Sequence, residues 1–369
     1  MKVLHLTTHF DIGGITKAII NLAQGLQDKG IEVSIASSGG DAEHLLKNIK
    51  HIRLLERTKS ELSWKTFKGS YQLYRFLKNS GVDVVHTHTR VTHMMMWWNQ
   101  FFNDLPWVTT IHGFFKNHSG RKILPLWGDY TIGISPAVIE DLKKQFLKTD
   151  HVLCIPHGVF MNSNLTKMDK KFYRTQLGLP QDQVLIGCIS RLSPVKGQDI
   201  LLKALEGIHL PFPFPWKLIL VGDGPDHKKL QEMSRTPELD GKVIFAGAVA
   251  DPTSYYYALD LYVAPSLEEG LGLSILEAMA CKLPVIASDI GGIRNIICDN
   301  IEGKLFPVGD IIGLRKCIEV FLNDTDSFHQ MVDNAYKKVQ KEFSWDMMIS
   351  KHIALYQTLC KEKRHVIHA

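Results

Sequence analysis

The sequence alternates short β-branched runs with segments of helical period, and this alternation constrains its fold more than any other feature. A first series of strand-like runs lies at Val3–Thr7, Glu32–Ser37, Val82–His86, Trp107–Ile111 and Tyr130–Ile134. A second series lies at Val184–Ile189, Lys217–Val221, Lys242–Ala246, Asp260–Ala264 and Val285–Ala287. Alternation of this kind predicts parallel sheets with helices on both faces. Because the polar stretch Asn162–Asp182 separates the two series in a chain of 369 residues, we expect two doubly wound domains.

Helix signals agree with this organisation. Ile15–Lys29 is amphipathic and is followed by Gly30, which is typical of a helix C-terminus. Near the end of the chain, Ser344 is a plausible N-cap for a helix that includes Ile349–Lys361.

The net charge is small and unevenly placed. Lys and Arg outnumber Asp and Glu by 43 to 38 overall, but by 19 to 13 within residues 1–160. A mildly basic first half suits an anionic partner such as a phosphorylated or membrane-linked substrate, although an ordinary solvated surface explains it equally well. The excess is too small for the basic stripe of a nucleic-acid-binding protein, so we expect no nucleic-acid partner.

Cysteine usage and hydropathy point to the cytoplasm. The six cysteines are scattered without a C-x-x-C pair, and most lie in apolar stretches, which predicts small buried side chains in a reducing compartment. No signal peptide is visible, and no apolar run reaches the ~18 residues of a membrane span. We therefore expect a cytoplasmic protein, with peripheral contact with the inner face of the membrane left open.

Glycine-rich turns follow several strands at the positions where ligands bind in open α/β sheets. Gly13 and Gly14 open the first helix, where backbone amides can approach a phosphate. This turn is not G-x-G-x-x-G and no acidic residue ends the second strand, so dinucleotide binding is disfavoured. A Gly-Gly pair is more often a simple turn. The glycines of Gly222-Asp-Gly-Pro would also give a ligand close access to the backbone, although a plain strand-to-helix turn needs the same residues.

Two cations follow the first strand of the second series. Arg191 and Lys196 flank a proline turn just before a helix. Such a pair can hold a diphosphate, because the planar Arg fork matches phosphate oxygens and the helix N-terminus is positive. The alternative is a pair of cations that only face solvent.

The segment Ala264–Ser288 is the most specific in the chain. Glu269 and Glu277 are separated by seven residues, with Gly270 and Gly272 between them at the start of a helix. A carboxylate at the second position can accept two hydrogen bonds from a ribose diol, and the exposed amides of the helix start can meet phosphate.

These segments, taken in order, resemble the family 4 retaining glycosyltransferases of GT-B fold. The resemblance is carried by P-S-x-x-E-G-x-G-x-x-x-x-E-A-M-A-x-x-x-P-V-I-A-S from Pro265 to Ser288 and covers nearly the whole chain. Further matching segments are Gly13-Gly14, Val84–His88, Ile111–Gly113, Ile155–Val159, Arg191 with Lys196, Gly222–Pro225 and Phe343–Trp345.

The resemblance implies two doubly wound Rossmann-like domains that face each other across a cleft. Residues 1–165 would form the acceptor-binding domain, with the helix 346–369 packing back on it. Residues 166–345 would form the nucleotide-sugar-binding domain. The family needs no cofactor and generally no metal, so we expect neither.

The resemblance also implies roles for individual residues. Arg191 and Lys196 would hold the donor's diphosphate, Glu277 would bind the ribose, and Glu269 would contact the donor sugar. Gly13 and Gly14 would approach the diphosphate from the other domain, and His112 would contact the transferred sugar. The implied catalytic set is Glu269, His112, Arg191 and Lys196, with no nucleophile assigned. The implied donor-binding set is Gly13, Gly14, Arg191, Lys196, Gly222, Gly247, Glu269, Gly270, Leu271, Gly272, Leu273 and Glu277.

The chain departs from the family pattern at four positions. His157 stands where Asn is usual, Phe160 where Asp is usual, Leu271 in place of an aromatic residue and Asn295 in place of Glu. None of these positions belongs to the diphosphate-binding pair, so the departures concern the choice of sugar and nucleotide.

Three other clusters have simpler explanations that we favour. His86 and His88 have a spacing that a metal could use, but no further ligands accompany them. Leu62–Lys78 carries an aromatic stripe (Trp64, Phe67, Tyr71, Tyr74, Leu77) flanked by Lys and Arg, which predicts a core-facing helix or, less readily, a membrane-facing one. The run Met94–Trp98 with Phe101 and Phe102 is also expected to be core.

The sequence thus predicts a retaining glycosyltransferase that moves a sugar from a nucleotide-diphosphate donor, expected to be UDP-linked, to a glycan or lipid-linked acceptor. Assembly of bacterial cell-surface polysaccharide or lipopolysaccharide is the expected setting. The alternatives are a nucleotide-sugar epimerase of similar fold and a catalytically inactive sugar-nucleotide-binding subunit. An NAD(P)-dependent oxidoreductase is a more distant one.

Overall fold

A computed structural model describes residues 1–114, 126–145, 151–161, 169–208 and 215–367. The chain divides into two compact units, Met1–His157 with Trp345–Ala369, and Gly158–Ser344. The predicted boundary at residue 165 and part of the predicted linker Asn162–Asp182 lie outside the described residues. The roles assigned to the two domains stay predictions.

The first unit is built on a parallel sheet whose described strands follow the order β3-β2-β1-β4-β5-β6-β7. The strands are β1 (Lys2–Leu6), β2 (Glu32–Ser37), β3 (Lys50–Arg53), β4 (Val84–Thr87), β5 (Trp107–Ile111), β6 (Tyr130–Gly133) and β7 (Val152–Cys154). The helices are α1 (Gly14–Asp28), α2 (Trp64–Ser80), α3 (Arg90–Asn99), α4 (Pro136–Gln145) and, from the end of the chain, α13 (Trp345–Ile367).

The second unit repeats this plan, with the described strand order β10-β9-β8-β11-β12-β13. The strands are β8 (Val184–Ile189), β9 (Trp216–Val221), β10 (Val243–Gly247), β11 (Leu261–Ala264), β12 (Val285–Ser288) and β13 (Lys304–Phe306). The helices are α5 (Lys170–Gln176), α6 (Gln198–Glu206), α7 (His227–Met233), α8 (Thr253–Ala258), α9 (Leu273–Ala280), α10 (Gly291–Arg294), α11 (Ile311–Asn323) and α12 (His329–Glu342). Two parallel, doubly wound sheets confirm the predicted α/β class.

Each strand order reverses direction beside its first strand, and this places the functional loops. β1 pairs with β2 on one side and β4 on the other, and β8 pairs likewise with β9 and β11. The loops at the carboxyl ends of these neighbouring strands therefore diverge and leave a crevice, which is where open α/β sheets bind ligands.

The last helix completes the core of the first unit. Ile349, Tyr356 and Leu359 of α13 are buried with Ile19 and Leu22 of α1 against the sheet. The Trp345 indole Nε1 donates to the Asn21 carbonyl over 3.0 Å. The first unit is thus assembled from the two ends of the sequence.

Two packing predictions for aromatic segments are wrong in part. The buried face of α2 carries Thr66, Gly69, Ser70, Leu73 and Leu77, so the predicted core stripe of Trp64, Phe67 and Tyr71 is exposed. Small residues on the inner face let α2 lie close to α3, where Gly69 approaches Met95. In the second segment Met94, Met95 and Met96 are buried as predicted, but Phe101 and Phe102 are exposed.

The prediction that most cysteines are buried is also wrong. Cys188 is buried, whereas Cys154 and Cys298 are exposed and Cys281, Cys317 and Cys360 are half-buried. All six are free thiols.

Candidate active site

The predicted donor-binding residues of the second unit lie in loops that leave the carboxyl ends of its strands. Arg191 and Lys196 follow β8, Gly222 follows β9, Gly247 ends β10 and Glu269 follows β11. The Gly222 amide donates to the Gly247 carbonyl over 2.8 Å, which joins the ends of β9 and β10. These loops therefore share one edge of the sheet.

Lys196 and Glu269 form an ion pair between the loops after β8 and β11. Their side chains are 23% and 17% exposed, so water screens the pair only in part. Arg191 is exposed, and its guanidinium has no ion-pair partner among the described residues. The loop thus offers one free cation and one that a carboxylate already holds.

Backbone contacts fix the two loops against each other. The Leu267 amide donates to the Val195 carbonyl over 2.8 Å, and the Gly292 amide donates to the Glu269 carbonyl over 3.1 Å. A Cβ on Gly292 would lie 2.3 Å from the Gly270 carbonyl oxygen, so only glycine permits this approach. Glu269 is therefore positioned by α10 as well as by its own loop.

Helix α9 begins within this cluster. Gly272 has φ +92°, a left-handed conformation that favours glycine and turns the chain into the helix. The first amides of α9, from Leu273 and Ser274, precede the intrahelical hydrogen bonds, which begin at Ile275. The Leu271 side chain, which takes the place of the family's aromatic residue, is buried. Unpaired amides at the positive end of a helix can bind phosphate oxygens.

Glu277 lies one turn into α9 and is held by a buried tyrosine. The Tyr256 hydroxyl donates to Glu277 Oε2 over 2.9 Å. Burial and the nearby carboxylate raise the pKa of Tyr256 well above its usual value, so this phenol stays a donor. Sequence reasoning missed Tyr256, since an aromatic residue in a short helix carries no distinctive signal.

In the first unit, Gly13 and Gly14 are exposed at the N-terminus of α1. A Cβ on either glycine would meet nothing within 4 Å, which leaves room for a ligand. The loop is anchored on both sides, because Asp11 pairs with Arg57 at 2.5 Å and the Ile12 amide donates to Asp41 Oδ1 over 2.7 Å.

His112 belongs to a row of four hydrogen-bonded imidazoles. His157 Nε2 lies 3.1 Å from His112 Nδ1, His112 Nε2 lies 3.1 Å from His88 Nδ1, and His88 Nε2 lies 2.9 Å from His5 Nδ1. We call these four residues the histidine ladder. Both ring nitrogens of His112 are thus already used, which sequence reasoning did not foresee. A cavity of about 10 Å³, large enough for one water, borders His88, His112 and His157.

His86, which is not part of the ladder, has its own hydrogen-bond partners. Its ring nitrogens lie 2.6 Å from the Tyr356 hydroxyl and 2.6 Å from Thr110 Oγ1. Nitrogens of His5, His86 and His88 lie within 4.8 Å of one another, a spacing that a metal could use. Both nitrogens of His86 and both nitrogens of His88 already have hydrogen-bond partners, whereas His5 Nε2 has none among the described residues. An ion would therefore have to displace the partners of His86 and His88. The absence of a metal stays a prediction.

Burial keeps these imidazoles neutral. Desolvation lowers the pKa of His5 to about 3 and that of His157 to about 4. The pKa values of His86, His88 and His112 are also lowered well below the usual value, first by burial and then by neighbouring histidines. A neutral imidazole has one donor and one acceptor nitrogen.

The described structure therefore brings the predicted residues of the second unit together. Gly13, Gly14 and His112 belong to the first unit. Their predicted roles toward a donor stay predictions.

Comparison with known proteins decides the family. Residues 12–162 match the profile described as Glycosyltransferase Family 4, and residues 169–338 match the profile described as Glycosyl transferases group 1. The chain is a family 4 glycosyltransferase of GT-B fold. This confirms both the resemblance and the fold class expected from the sequence.

One relative of this glycosyltransferase covers nearly its whole length, and another covers two thirds of it. It is 22% identical to the N-acetyl-alpha-D-glucosaminyl L-malate synthase of Bacillus anthracis, with 98% of each chain covered. It is 27% identical to the lipopolysaccharide core biosynthesis mannosyltransferase LpsB of Rhizobium meliloti, over 67% of this chain and 70% of that one.

Solved structures show the same fold. The Anabaena HepE structure in complex with UDP and glucose matches with a TM-score of 0.85 and 22% identity, covering 97% of this chain and all (100%) of that one. Within the described residues, no helix is both long and apolar enough to cross a membrane.

Proposed function

We propose that this glycosyltransferase moves a sugar from a UDP-linked donor to a glycan or lipid-linked acceptor, with retention of configuration and without a metal. We place its work in the assembly of bacterial cell-surface polysaccharide or lipopolysaccharide, at the cytoplasmic face of the membrane. Relatives named as lipopolysaccharide mannosyltransferases and structural neighbours in complex with UDP support this proposal.

The observation that carries it is the Lys196–Glu269 ion pair beside the start of α9. A diphosphate is bound by cations together with backbone amides. Arg191, Lys196 and the first amides of α9 follow the carboxyl ends of the neighbouring strands β8 and β11. Electrostatic stabilisation of a leaving diphosphate from such groups takes the place of a metal ion.

The ion pair also suggests how the site responds to its donor. Before binding, Glu269 neutralises Lys196. A diphosphate carries more negative charge than one carboxylate, so it takes Lys196 from Glu269. The released carboxylate then accepts hydrogen bonds from hydroxyls of the donor sugar, as the resemblance implies. Glu277, held by Tyr256, binds the ribose diol.

This proposal is tested with a panel of nucleotide sugars, scored by thermal stabilisation and by slow hydrolysis of the donor. We expect Lys196→Ala and Glu277→Ala each to lower donor turnover by about 100-fold or more, because each removes a charged contact to the donor. The control is Lys229→Ala, which removes a lysine paired with Asp199 at 3.5 Å in the same unit.

Near-normal turnover in both site variants would overturn the site assignment. Turnover that stops with EDTA would overturn metal independence. The anomeric configuration of the product, read by NMR, decides retention. The same spectra separate transfer from epimerisation, because transfer joins the sugar to the acceptor whereas epimerisation leaves it linked to the nucleotide.

We further propose that the outer face of α2 and the end of α3 contact an anionic membrane. Trp64 and Tyr71 are 80% and 62% exposed, and Phe101 and Phe102 are 65% and 71% exposed. Rings of α2 contact rings at the end of α3 and just after it. The centroids of Phe67 and Trp98 are 5.5 Å apart and those of Tyr74 and Phe102 are 5.6 Å apart, so the aromatic side chains form one patch. Lys65, Lys68, Arg75 and Lys78 are exposed on the same helix. Aromatic rings beside cations match the interface of an anionic bilayer.

Vesicle sedimentation tests this contact. We expect binding to vesicles that contain phosphatidylglycerol at low salt, weaker binding as salt increases, and none to phosphatidylcholine alone. The double variant Trp64→Ser/Phe102→Ser should lose binding, whereas Phe172→Ser, which removes an exposed ring from the second unit, should retain it. Equal binding of all three proteins would contradict the proposal.

A further inference from the structure

The histidine ladder runs from a fully buried end to a partly exposed one. His5 is 0% exposed on β1 and His88 is 5% exposed after β4, whereas His112 and His157 are partly exposed. Each contact joins an Nδ1 to an Nε2, in the same sense along the whole ladder. The four rings therefore form one chain of hydrogen bonds, in which the position of the hydrogen on one ring determines its position on the next.

A neutral ladder has only two self-consistent arrangements of its protons. Each ring has one N–H and one lone pair, so every link needs one ring to donate and the next to accept. Either all four rings carry hydrogen on Nδ1, or all four carry it on Nε2. Any mixed arrangement sets two donors or two lone pairs against each other at one link.

The buried end distinguishes between these two arrangements. His5 Nε2 is buried and has no hydrogen-bond partner among the described residues. With hydrogen on every Nε2, His5 would hold a buried N–H without an acceptor, and orphaned buried donors are the rarer defect in proteins. With hydrogen on every Nδ1, only a lone pair is left unpaired there. His157 Nδ1 then carries an N–H at the partly exposed end.

We propose that the ladder holds all four imidazoles in the Nδ1–H form and so presents the His157 Nδ1–H as a fixed hydrogen-bond donor to an oxygen of bound substrate. This rests on the proposed transferase function for the identity of the ligand, but not for the arrangement of protons. His157 becomes a substrate-contacting residue, and His5, His88 and His112 become positioning residues for it.

The proposal accounts for the histidine at a position where the family usually has asparagine. An asparagine amide always has an N–H to donate, whereas a histidine exposes either a donor or an acceptor according to its tautomer. A histidine at this position can replace the amide donor reliably only if its tautomer is set, and the ladder sets it.

The first test is NMR of the full chain with ¹⁵N-labelled histidine at pH 7.5, which reads the tautomer of each ring. Signals are assigned by single His→Phe substitutions. We expect His5, His88, His112 and His157 to carry hydrogen on Nδ1. A mixture of tautomers at His157, or hydrogen on its Nε2, would overturn the proposal without bearing on transferase activity. Loss of the His5 and His88 N–H signals on addition of zinc would also overturn it, because those nitrogens would then be metal ligands.

Interrupting the ladder tests whether the buried end determines the tautomer of His157. In His88→Phe, the partly exposed His112 and His157 lose their link to the buried end, and water can pair with either tautomer. We expect His157 to become a mixture of tautomers. The control is His93→Phe, which replaces a buried histidine of α3 outside the ladder and should leave the His157 tautomer unchanged. An unchanged His157 signal in His88→Phe would contradict the proposal that the buried end sets the tautomer of His157. If a variant does not fold, the wild-type spectrum still decides which tautomer His157 adopts.

Activity provides a separate readout once a donor and an acceptor are known. His157→Asn keeps an N–H donor and should stay within about threefold of wild-type kcat/KM, whereas His157→Leu removes it and should lose about tenfold or more. Equal loss in both variants would contradict the donor role. Absence of turnover in the wild-type protein would contradict the proposed function and leave the NMR result standing.

Discussion

At the scale of single residues, the site depends on contacts between loops that are far apart in the sequence. Lys196 and Glu269 are 73 residues apart, yet they pair directly. Both were recognisable from their loops, because a cation after one strand and a carboxylate after another are typical of the family. Their pairing was not predictable, since it depends on the strand order that brings β8 beside β11.

The close approach of Gly292 to the loop of Glu269 gives a prediction at this scale. In Gly292→Ala the new Cβ would lie 2.3 Å from a backbone oxygen that cannot move alone, so the loop must shift. We expect a loss of about 1–3 kcal/mol in the free energy of unfolding of the second unit, measured in urea, and weaker stabilisation by UDP.

The matched control is Gly178→Ala. Gly178 has φ +64° but open space around its Cβ position, so this variant carries backbone strain without crowding. It should be destabilised as well, but it should respond to UDP as the wild type does. If both variants responded equally, the approach of Gly292 would not be what positions the loop.

At the scale of elements, sequence patterns worked best where a strand is buried on both faces. Glu32–Ser37, Trp107–Ile111 and Val184–Ile189 were predicted to the residue, because strands inside a parallel sheet are rich in β-branched and apolar residues. The strands Lys50–Arg53, Val152–Cys154 and Lys304–Phe306 were missed, since each is short and partly exposed at or near the edge of its sheet. Burial on both faces is the property that the sequence pattern reports.

Helix α2 is an element for which the sequence pattern predicted the wrong buried face. Its aromatic residues recur with helical period, but periodicity identifies a face without saying what covers it. Neighbouring α3 selects the face with Gly69 and Ser70, where backbones approach closely and Ser70 Oγ donates to the Met95 carbonyl over 3.0 Å. The larger aromatic rings are left outside.

The contact of α1 with α13 gives a prediction at the scale of elements. A Cβ on Gly25 would lie 2.4 Å from Ile349 Cδ1, so glycine is what lets the last helix pack here. We expect Gly25→Ala and Ile349→Ala each to destabilise the first unit, by overpacking and by cavity formation respectively. The double variant should lose less than the sum of the two, by about 0.5–3 kcal/mol in a double-mutant cycle.

Gln27→Ala is the control for this cycle. Gln27 is a partly exposed residue of the same helix, so its substitution should add to Ile349→Ala without coupling. Additive effects of Gly25→Ala and Ile349→Ala would show that the two positions do not compete for space.

At the scale of the whole molecule, the two units differ in how they should respond to acid. Among the described residues, every histidine with a pKa that is lowered by burial belongs to the first unit. These groups are neutral in both states above pH 6.5. Below that pH, the histidines of the unfolded chain bind protons. The buried histidines of the folded unit bind protons only when the pH reaches their own, lower pKa values. Stability is therefore full above the unfolded pKa and is lost as the pH falls toward about 3–4.

As the pH falls from 7.5 to 5, we expect the first unit to unfold at a lower urea concentration than the second. Hydrogen exchange measures the unfolding of each unit separately. Each buried histidine contributes up to about 1.4 kcal/mol per pH unit in this range. His93→Phe, which removes a histidine with a pKa of about 3, should lower the proton uptake on unfolding by about one. An unchanged pH slope in this variant, or equal slopes for the two units, would contradict the prediction.

The return of α13 to the first unit has a consequence for biosynthesis. A ribosome delivers Met1–His157 first, but the core of that unit still lacks Ile349, Tyr356 and Leu359. The continuous segment Gly158–Ser344 is complete before the last helix leaves the exit tunnel. The half of the enzyme that is translated first is therefore the half that finishes folding last.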